Sequence, residues 1–328
     1  TAGTFTFTNV PSYGNYTVIL SNNNTPTDPT PAFPSANWIY TSPLNYTLAN
    51  IADGGANVTG LNFGLYNGSR ISGKVINDNG LNGPSSNAND GILNAAESGI
   101  AGAVVSVGTT TGLQLDSATT DGSGAFVLFT DTGSVNPLWI RETNPAGYVS
   151  VNFNAGNTGG VYSVATDSLS FNYTRYGNNT TGGYRNVLFS DVPDNTFTPA
   201  ASSQSSGPTS TIYYGHTFQP GSGGTVSFAT TGRTQGAWPA VAYFRDMNCN
   251  GSFDGSDTAL PASLAVSANT PVCILVREVI PAALLGTVDT VTTRATFTYT
   301  NSIGPVVRTY TITDTTTVAT PGSVSVSG

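Results

Sequence analysis

Residues 71–107 read ISGKVINDNGLNGPSSNANDGILNAAESGIAGAVVSV, and this stretch sharply limits what the chain can fold into. It opens as a strand, with Ile71, Gly73 and Val75 alternating against Ser72, Lys74 and Ile76. It then breaks into a loop crowded with Asn and Gly, residues that favour turns. It closes as a second strand over residues 103–107. The loop carries Asp78, Asn79, Asn82, Asn87, Asp90 and Glu97. A strand, an oxygen-rich loop and a strand make a candidate hard-cation site at the edge of a β-sandwich. No stretch keeps a helical period for long, so the expected class is all-β.

The remaining strands follow from alternation and turn signals. Residues 4–10, TFTFTNV, place Phe5 and Phe7 on one face and Thr4, Thr6 and Thr8 on the other. Strands are expected at 16–20, 38–41, 46–48 and 61–65, with a polar, Pro-rich loop over 21–34. After residue 107, the TTDGSG turn at 119–124 precedes strands at 126–129, 138–142 and 148–153, and one or two more lie within 171–189. Residues 192–211 are Pro- and Ser-rich and read as a linker. Strands then recur at 211–218, 225–229, 240–245, 272–279, 291–299 and 306–312. The spacing fits a second sandwich over 212–316, followed by a tail, 317–328, that is a docking strand or a frayed end.

A loose internal repeat links the first two parts. GTFTF at 3–7 matches GAFVL at 124–128, and GNYTV at 14–18 matches GYVSV at 147–151. In the second copy the loop stretch comes first, whereas in the first copy it is absent. Residues 1–70 therefore read as an incomplete sandwich, either cut or completed by a strand from another molecule.

Composition narrows the function classes. At 328 residues the chain suits about two or three domains. Only 9% of residues are charged, against a usual ~25%. Lys74 is the only lysine. Thr, Ser and Asn supply the polar surface of what reads as a secreted protein. The net charge of −8, without a basic patch, argues against a nucleic-acid partner. No apolar run approaches the ~18 residues of a transmembrane helix. Cys249 and Cys273 fit one disulfide made outside the cytosol.

The motif G-K-V-x-x-D-N-G, followed by N-D-G-x-x-x-x-x-E-x-G-I-x-G-x-x-V, resembles the B-type repeats of bacterial surface adhesins. These are prealbumin-like and Ig-like modules of the serine-aspartate-repeat and collagen-adhesin families. The resemblance covers residues 71–191 and implies calcium in the first loop, held by Asp78, Asn82, Asp90 and Glu97 with Asn79 and Asn87 nearby. Spacing alone does not imply calcium there. Some members carry a Lys–Asn isopeptide bond, for which Lys74 would be the only donor; a solvated lysine is the plainer reading. Residues 212–316 more loosely resemble an Ig-like bacterial surface repeat, through GHTF at 215–218, Trp238, Tyr243 and the loop that follows Asp246.

That loop is the sharpest candidate site. In DMNCNGSFDGSD, oxygen side chains of Asp246, Asn248, Asn250, Asp254 and Asp257 fall at positions 1, 3, 5, 9 and 12. Gly251 holds position 6, where a calcium loop turns sharply, and Ser252 would offer its carbonyl at position 7. The loop resembles the EF-hand-like loops of extracellular bacterial proteins, with Asp257 in place of the usual Glu. A hairpin whose side chains cap their own backbone is the bland alternative.

Nothing points to catalysis. His216, the single histidine, lies on an expected strand among aromatics, and no nucleophile, metalloprotease or phosphate-loop motif occurs. The expected function is a structural subunit of an extracellular or cell-surface filament, assembled with itself head to tail by strand complementation and stiffened by calcium. The donor strand would lie in 1–10 or 323–327. One alternative is a stalk segment of a large surface adhesin that meets host or environmental surfaces. Another is a calcium-dependent carbohydrate-binding module, which would need exposed tryptophans among Trp38, Trp139 and Trp238.

Overall fold

The computed structural model describes the chain except for residues 1–2, 12–13, 22–37, 44–46, 53, 55, 82–86, 95–96, 132–135, 175–182 and 321–328. Among the described residues there is no α-helix, and none is long and apolar enough to cross a membrane. The chain is all-β, as its alternation requires, and is built around tandem Ig-like sandwiches.

The N-terminal part forms two antiparallel ribbons. β1 (Asn15–Ile19) pairs with β3 (Thr47–Ala52), and β2 (Trp38–Ser42) pairs with β4 (Gly64–Asn67). An isolated two-stranded ribbon is marginal in water because it has little to bury its apolar face against. Ile39 and Tyr40 are buried, but Phe5, Phe7, Val10, Trp38, Val58 and Leu65 remain exposed, Phe7 at 62%. The strand expected over residues 4–10 does not form, since the segment has no β partner among the described residues. Its alternation survives nonetheless: the Phe5 and Phe7 rings lie 5.8 Å apart, and Phe5 leans on Phe63 at 6.1 Å.

The central sandwich comprises β5 (Ser69–Asn77), β6 (Val104–Thr109), β7 (Gln114–Thr119), β8 (Ala125–Thr130) and β9 (Leu138–Thr143). It continues with β10 (Tyr148–Asn154), β11 (Val161–Ser163), β12 (Ser168–Phe171) and β13 (Tyr184–Pro193). One sheet has the order β10-β13-β5-β8 and the other β11-β12-β9-β6-β7. Their inner faces share a core of Ile71, Val75, Val105, Phe126, Ile140 and Phe189, among others. β5 lies inside its sheet between β8 and a parallel β13. Local sequence cannot show this, because β13 comes more than a hundred residues later in the chain. Gly124 makes the tight turn before β8 possible. It sits at φ +74°, and an added Cβ would come within 2.2 Å of the Val75 carbonyl oxygen.

The second sandwich starts earlier than expected. Residues 192–211 are not a free linker. β14 (Thr196–Thr198) pairs with β16 (Thr211–Gln219), and β15 (Ala201–Ser206) runs parallel to β23 (Val307–Val318). The Ser-rich run is an edge strand whose side chains are mostly exposed, which is why its composition resembled a linker. The remaining strands are β17 (Gly224–Arg233), β18 (Ala242–Arg245), β19 (Thr258–Ala259), β20 (Leu264–Val266), β21 (Val272–Val279) and β22 (Val288–Tyr299). They complete sheets β14-β16-β21-β18-β19 and β15-β23-β22-β17-β20.

This core also holds a buried polar network. Arg233 Nε donates to Asp289 Oδ2 at 2.6 Å, and its Nη2 lies 3.9 Å from Glu278 Oε2. The Thr316 hydroxyl donates to the same Glu278 oxygen at 2.8 Å. Burial, and then the charges of Asp289 and Asp314, push the Glu278 carboxyl up to about 7 against the opposing pull of Thr316 and Arg233. Because the folded value is raised, the protonated side chain favours the fold below the usual 4.5, and that contribution is lost as pH climbs through about 7. Glu278→Gln keeps an acceptor for Thr316 and carries no charge. Urea midpoints at about pH 5 and about pH 8 should therefore differ less in the variant than in the wild type. Parallel pH dependence in the two proteins would contradict the assignment.

Candidate functional site

The loop after Asp246 closes on itself. Asp246 is buried, and its two carboxylate oxygens accept the Asn250 and Gly251 N–H groups at 3.2 and 2.8 Å. Gly251 turns the chain at φ +72°, as its position in the spacing requires. The Asn248 and Asn250 amides both donate to Asp254 Oδ2, at 2.9 and 3.0 Å. Asp257 accepts the Met247 and Asp254 N–H groups at 3.1 and 2.8 Å. The Asp254 carboxyl is held down at about 2, first by the Ser256 hydroxyl and N–H and then by the two asparagines. The structure thus brings Asp246, Asn248, Asn250, Asp254 and Asp257 onto one turn, with Ser252 N–H bonded to Asn250 Oδ1 at 2.7 Å. The donor set is all oxygen and includes a carboxylate that stays ionised, which fits a hard cation. In the geometry described, these oxygens satisfy the loop's own backbone.

The base of this loop is tied to the sandwich. Cys249 and Cys273 are bonded to each other, with Cα atoms 5.4 Å apart, and the Asp246 N–H donates to the Cys273 carbonyl at 3.0 Å. Phe253, at the loop's far side, stacks on Tyr213 at 4.8 Å.

The first loop is used differently. Asp78 is fully buried and accepts the Gly91 and Asp90 N–H groups at 2.8 and 3.3 Å. Burial pushes its carboxyl up to about 7, with smaller contributions from the charges of Glu97 and Asp90 and against the Gly91 N–H. Asp90 accepts the Ile92 N–H at 2.8 Å, Glu97 Oε2 accepts the Asn94 N–H at 2.9 Å, and Asn79 accepts the Leu81 N–H at 2.9 Å. Asn82 lies outside the described residues. Asp78, Asp90 and Glu97 are neighbours, yet they do not form a group with ligand oxygens within 4.8 Å of one another. Among the described residues, that arrangement occurs only at Glu142, Asp167 and Asp191.

What Asp78 holds in place is the turn that presents Asn89. This residue is fully buried at φ +60°, and its N–H donates to the Asp78 carbonyl at 2.8 Å. Its amide donates to the Gly223 and Thr300 carbonyls of the second sandwich at 3.0 and 2.9 Å, and its Oδ1 accepts the Ser222 hydroxyl at 2.7 Å. Asn152 donates to the Asn89 and Asn301 carbonyls, and Asn301 donates back to the Ala88 carbonyl. Asn195 donates to the Tyr299 and Tyr310 hydroxyls and accepts the Gly221 N–H. Val149, Val151 and Val192, on the outer face of β10 and β13, complete the apolar core of the second sandwich. The two sandwiches therefore share a sealed junction.

The remaining candidates have ordinary surroundings. His216 is buried between Asp314 Oδ1, 2.9 Å from Nε2, and the Pro199 carbonyl, 3.1 Å from Nδ1. Lys74 adds only a minor pull on exposed Asp121, whose carboxyl is lowered chiefly by the Ser123 hydroxyl. Trp139 donates to the Thr109 carbonyl under Arg141, and Trp238 is buried under Arg233. Trp38 alone of the three is exposed, at 37%, so they form no common sugar-binding platform.

No protein-family model and no curated protein matches the sequence. Among solved structures, similar chains include BcpA, the major pilin subunit of Bacillus cereus, at 13% identity, with 75% of this chain and 69% of that one covered and a TM-score of 0.35. They also include the major pilin SpaD of Corynebacterium diphtheriae, at 9% identity, 75% and 65% coverage and a TM-score of 0.32. The T6 backbone pilin of Streptococcus pyogenes is 9% identical, with 76% and 64% coverage and a TM-score of 0.25. At these identities and scores the likenesses carry no argument about what this chain does.

Proposed function

We propose that the chain is a structural subunit of an extracellular or cell-surface filament that associates with copies of itself. The observation that carries this reading is the N-terminal part. Its two ribbons leave Phe5, Phe7, Val58 and Leu65 exposed, and the apolar segment around Phe5 and Phe7 has no strand partner among the described residues. Such a surface is covered most simply by main-chain pairing with a strand of a neighbour, and a head-to-tail contact of that kind extends into a fibre. The sealed junction supports the reading too, because a filament needs subunits that keep their shape. In this proposal calcium binds the Asp246 loop through Asp246, Asn248, Asn250, Asp254, Asp257 and the Ser252 carbonyl. Binding to the folded state alone stabilises that state by mass action.

Negative-stain electron microscopy in millimolar calcium tests the proposal. The full chain should form long uniform fibres. A chain lacking residues 4–10 should give dispersed particles that retain the disulfide and a folded second sandwich. Residues 323–327, the other expected donor, lie outside the described residues and are deleted in a parallel variant. Fibres that survive both deletions would refute assembly through these segments, and dispersed particles from the full chain would favour the stalk reading.

A further inference from the structure

Two rows of inward-facing side chains meet inside the central sandwich. On β9 the row runs Leu138, Ile140, Glu142, and on β13 it runs Val187, Phe189, Asp191. The first two places of each row are apolar and sit in the core. The third place of each is a carboxylate, and both carboxylates are buried, Asp191 completely. Asp167, from the turn ahead of β12, joins them, and the ligand oxygens of all three lie within 4.8 Å of one another.

Asp167 is half-buried and accepts the Tyr162 hydroxyl, but Glu142 and Asp191 lack the partners that buried carboxylates need. Neither oxygen of Asp191 has a hydrogen-bond partner, nor does Glu142 Oε1. The Ser150 hydroxyl lies beside Asp191, but its proton serves Asp167 Oδ2 at 2.9 Å or Asn144 Oδ1 at 3.0 Å. Among the described residues no ion pair involves Glu142, Asp167 or Asp191, so no described basic side chain neutralises the cluster. One end of the Asn144 amide sits 2.6 Å from Glu142 Oε2 and 3.1 Å from Asp167 Oδ2. Without a cation that end must be the NH2 group, donating to both; beside a cation it serves as an oxygen ligand.

We propose that Glu142, Asn144, Asp167 and Asp191 bind a hard divalent cation of the calcium class between the two sheets of the central sandwich. Calcium takes roughly six to eight oxygens at about 2.3–2.6 Å, so ligands on opposite sides of one ion stand about 4.6–5.2 Å apart. Oxygens within 4.8 Å of one another fit on one such sphere. The donor set is purely oxygen, which excludes the softer metals that prefer sulfur or imidazole. Protons are the rival means of neutralising the cluster, because a shared proton also gives a buried carboxylate a partner, and counting bound calcium separates the two. The ion would tie β9 and the turn before β12 to β13, whose next residue, Val192, enters the junction core.

Calcium bound to the full chain is counted by equilibrium dialysis, and thermal unfolding is followed with calcium and with chelator. Asp191→Asn should lose one equivalent of calcium relative to the wild type and most of the calcium-induced rise in unfolding temperature. In chelator it should unfold no earlier than the wild type, because the amide removes a buried charge. Asp246→Asn, in the other loop, should keep the equivalent that Asp191→Asn loses. If Asp191→Asn does not fold, Glu142→Gln is read by the same criteria. Equal calcium in wild type and variant, including none in either, would overturn the proposal and leave protons as the neutralising charge.

Discussion

Replacing Asn89 with alanine should uncouple the two sandwiches. The substitution removes both donors to the second sandwich and the acceptor for Ser222, leaving the Thr300 carbonyl and the Ser222 hydroxyl short of partners in a sealed interface. A buried polar group left without its partner costs about 1–3 kcal/mol. Alanine also tolerates the φ of +60° less well than asparagine does. The combined loss should be about 3 kcal/mol. It should appear as a lower-temperature shoulder in calorimetry and as new proteolytic cutting near residues 192–196. Asn172, an exposed asparagine of the same sandwich, serves as the control, and its alanine variant should melt like the wild type. Superimposable melts for all three proteins would show that the asparagine contacts do not couple the sandwiches.

Breaking the disulfide, which lies in the second sandwich, should cost a comparable amount. Cys249 and Cys273 are 24 residues apart in sequence, and the bond closes a loop that contains the later part of the Asp246 hairpin, β19 and β20. Loop closure of this length restricts the unfolded chain by about 3 kcal/mol at room temperature. The bond also pins the start of the hairpin to β21, where the Asp246 N–H meets the Cys273 carbonyl. The double variant Cys249→Ser, Cys273→Ser should therefore lose about 3 kcal/mol in urea unfolding. With the junction intact, the joint transition should move without splitting. A loss below about 1 kcal/mol would mean that the reduced, unfolded chain is already restricted in this region.

Most strands of the two sandwiches were legible because each buries one face, which imposes a period of two on the sequence. Pairing between distant segments was not. Nothing local shows that β13 lies parallel to β5, or that the Ser-rich run of β15 joins a sheet. Residues 4–10 have strand alternation, but a strand also needs a neighbour, and none is described for them. The loop after Asp246 was legible as a turn because its spacing is regular. Asn89 was hidden because an asparagine that clasps another sandwich looks like any loop asparagine. The Glu142 and Asp191 cluster did leave a trace. Leu138, Ile140 and Glu142 keep one parity, so the strand pattern itself points a carboxylate inward, and only the facing row on β13 shows why that matters.

The parallel pairing of entry and exit strands also governs how the chain answers a pull on its ends. In the central sandwich β5 is the way in and β13 the way out, paired from Tyr184–Ile71 to Asp191–Asn77 and in register from Val187–Gly73 onward. In the second, β15, which follows the short β14, runs parallel to the last strand, β23, from Ala201–Thr313 to Ser206–Val318. Tension applied along the chain drags the two strands of each pair past one another lengthwise. Every hydrogen bond of the ladder then takes strain at once, and none opens until many do. An antiparallel pair at the same place would peel open one rung at a time at far lower force. Each sandwich thus carries a shear clamp between its parallel strands, β5 with β13 and β15 with β23.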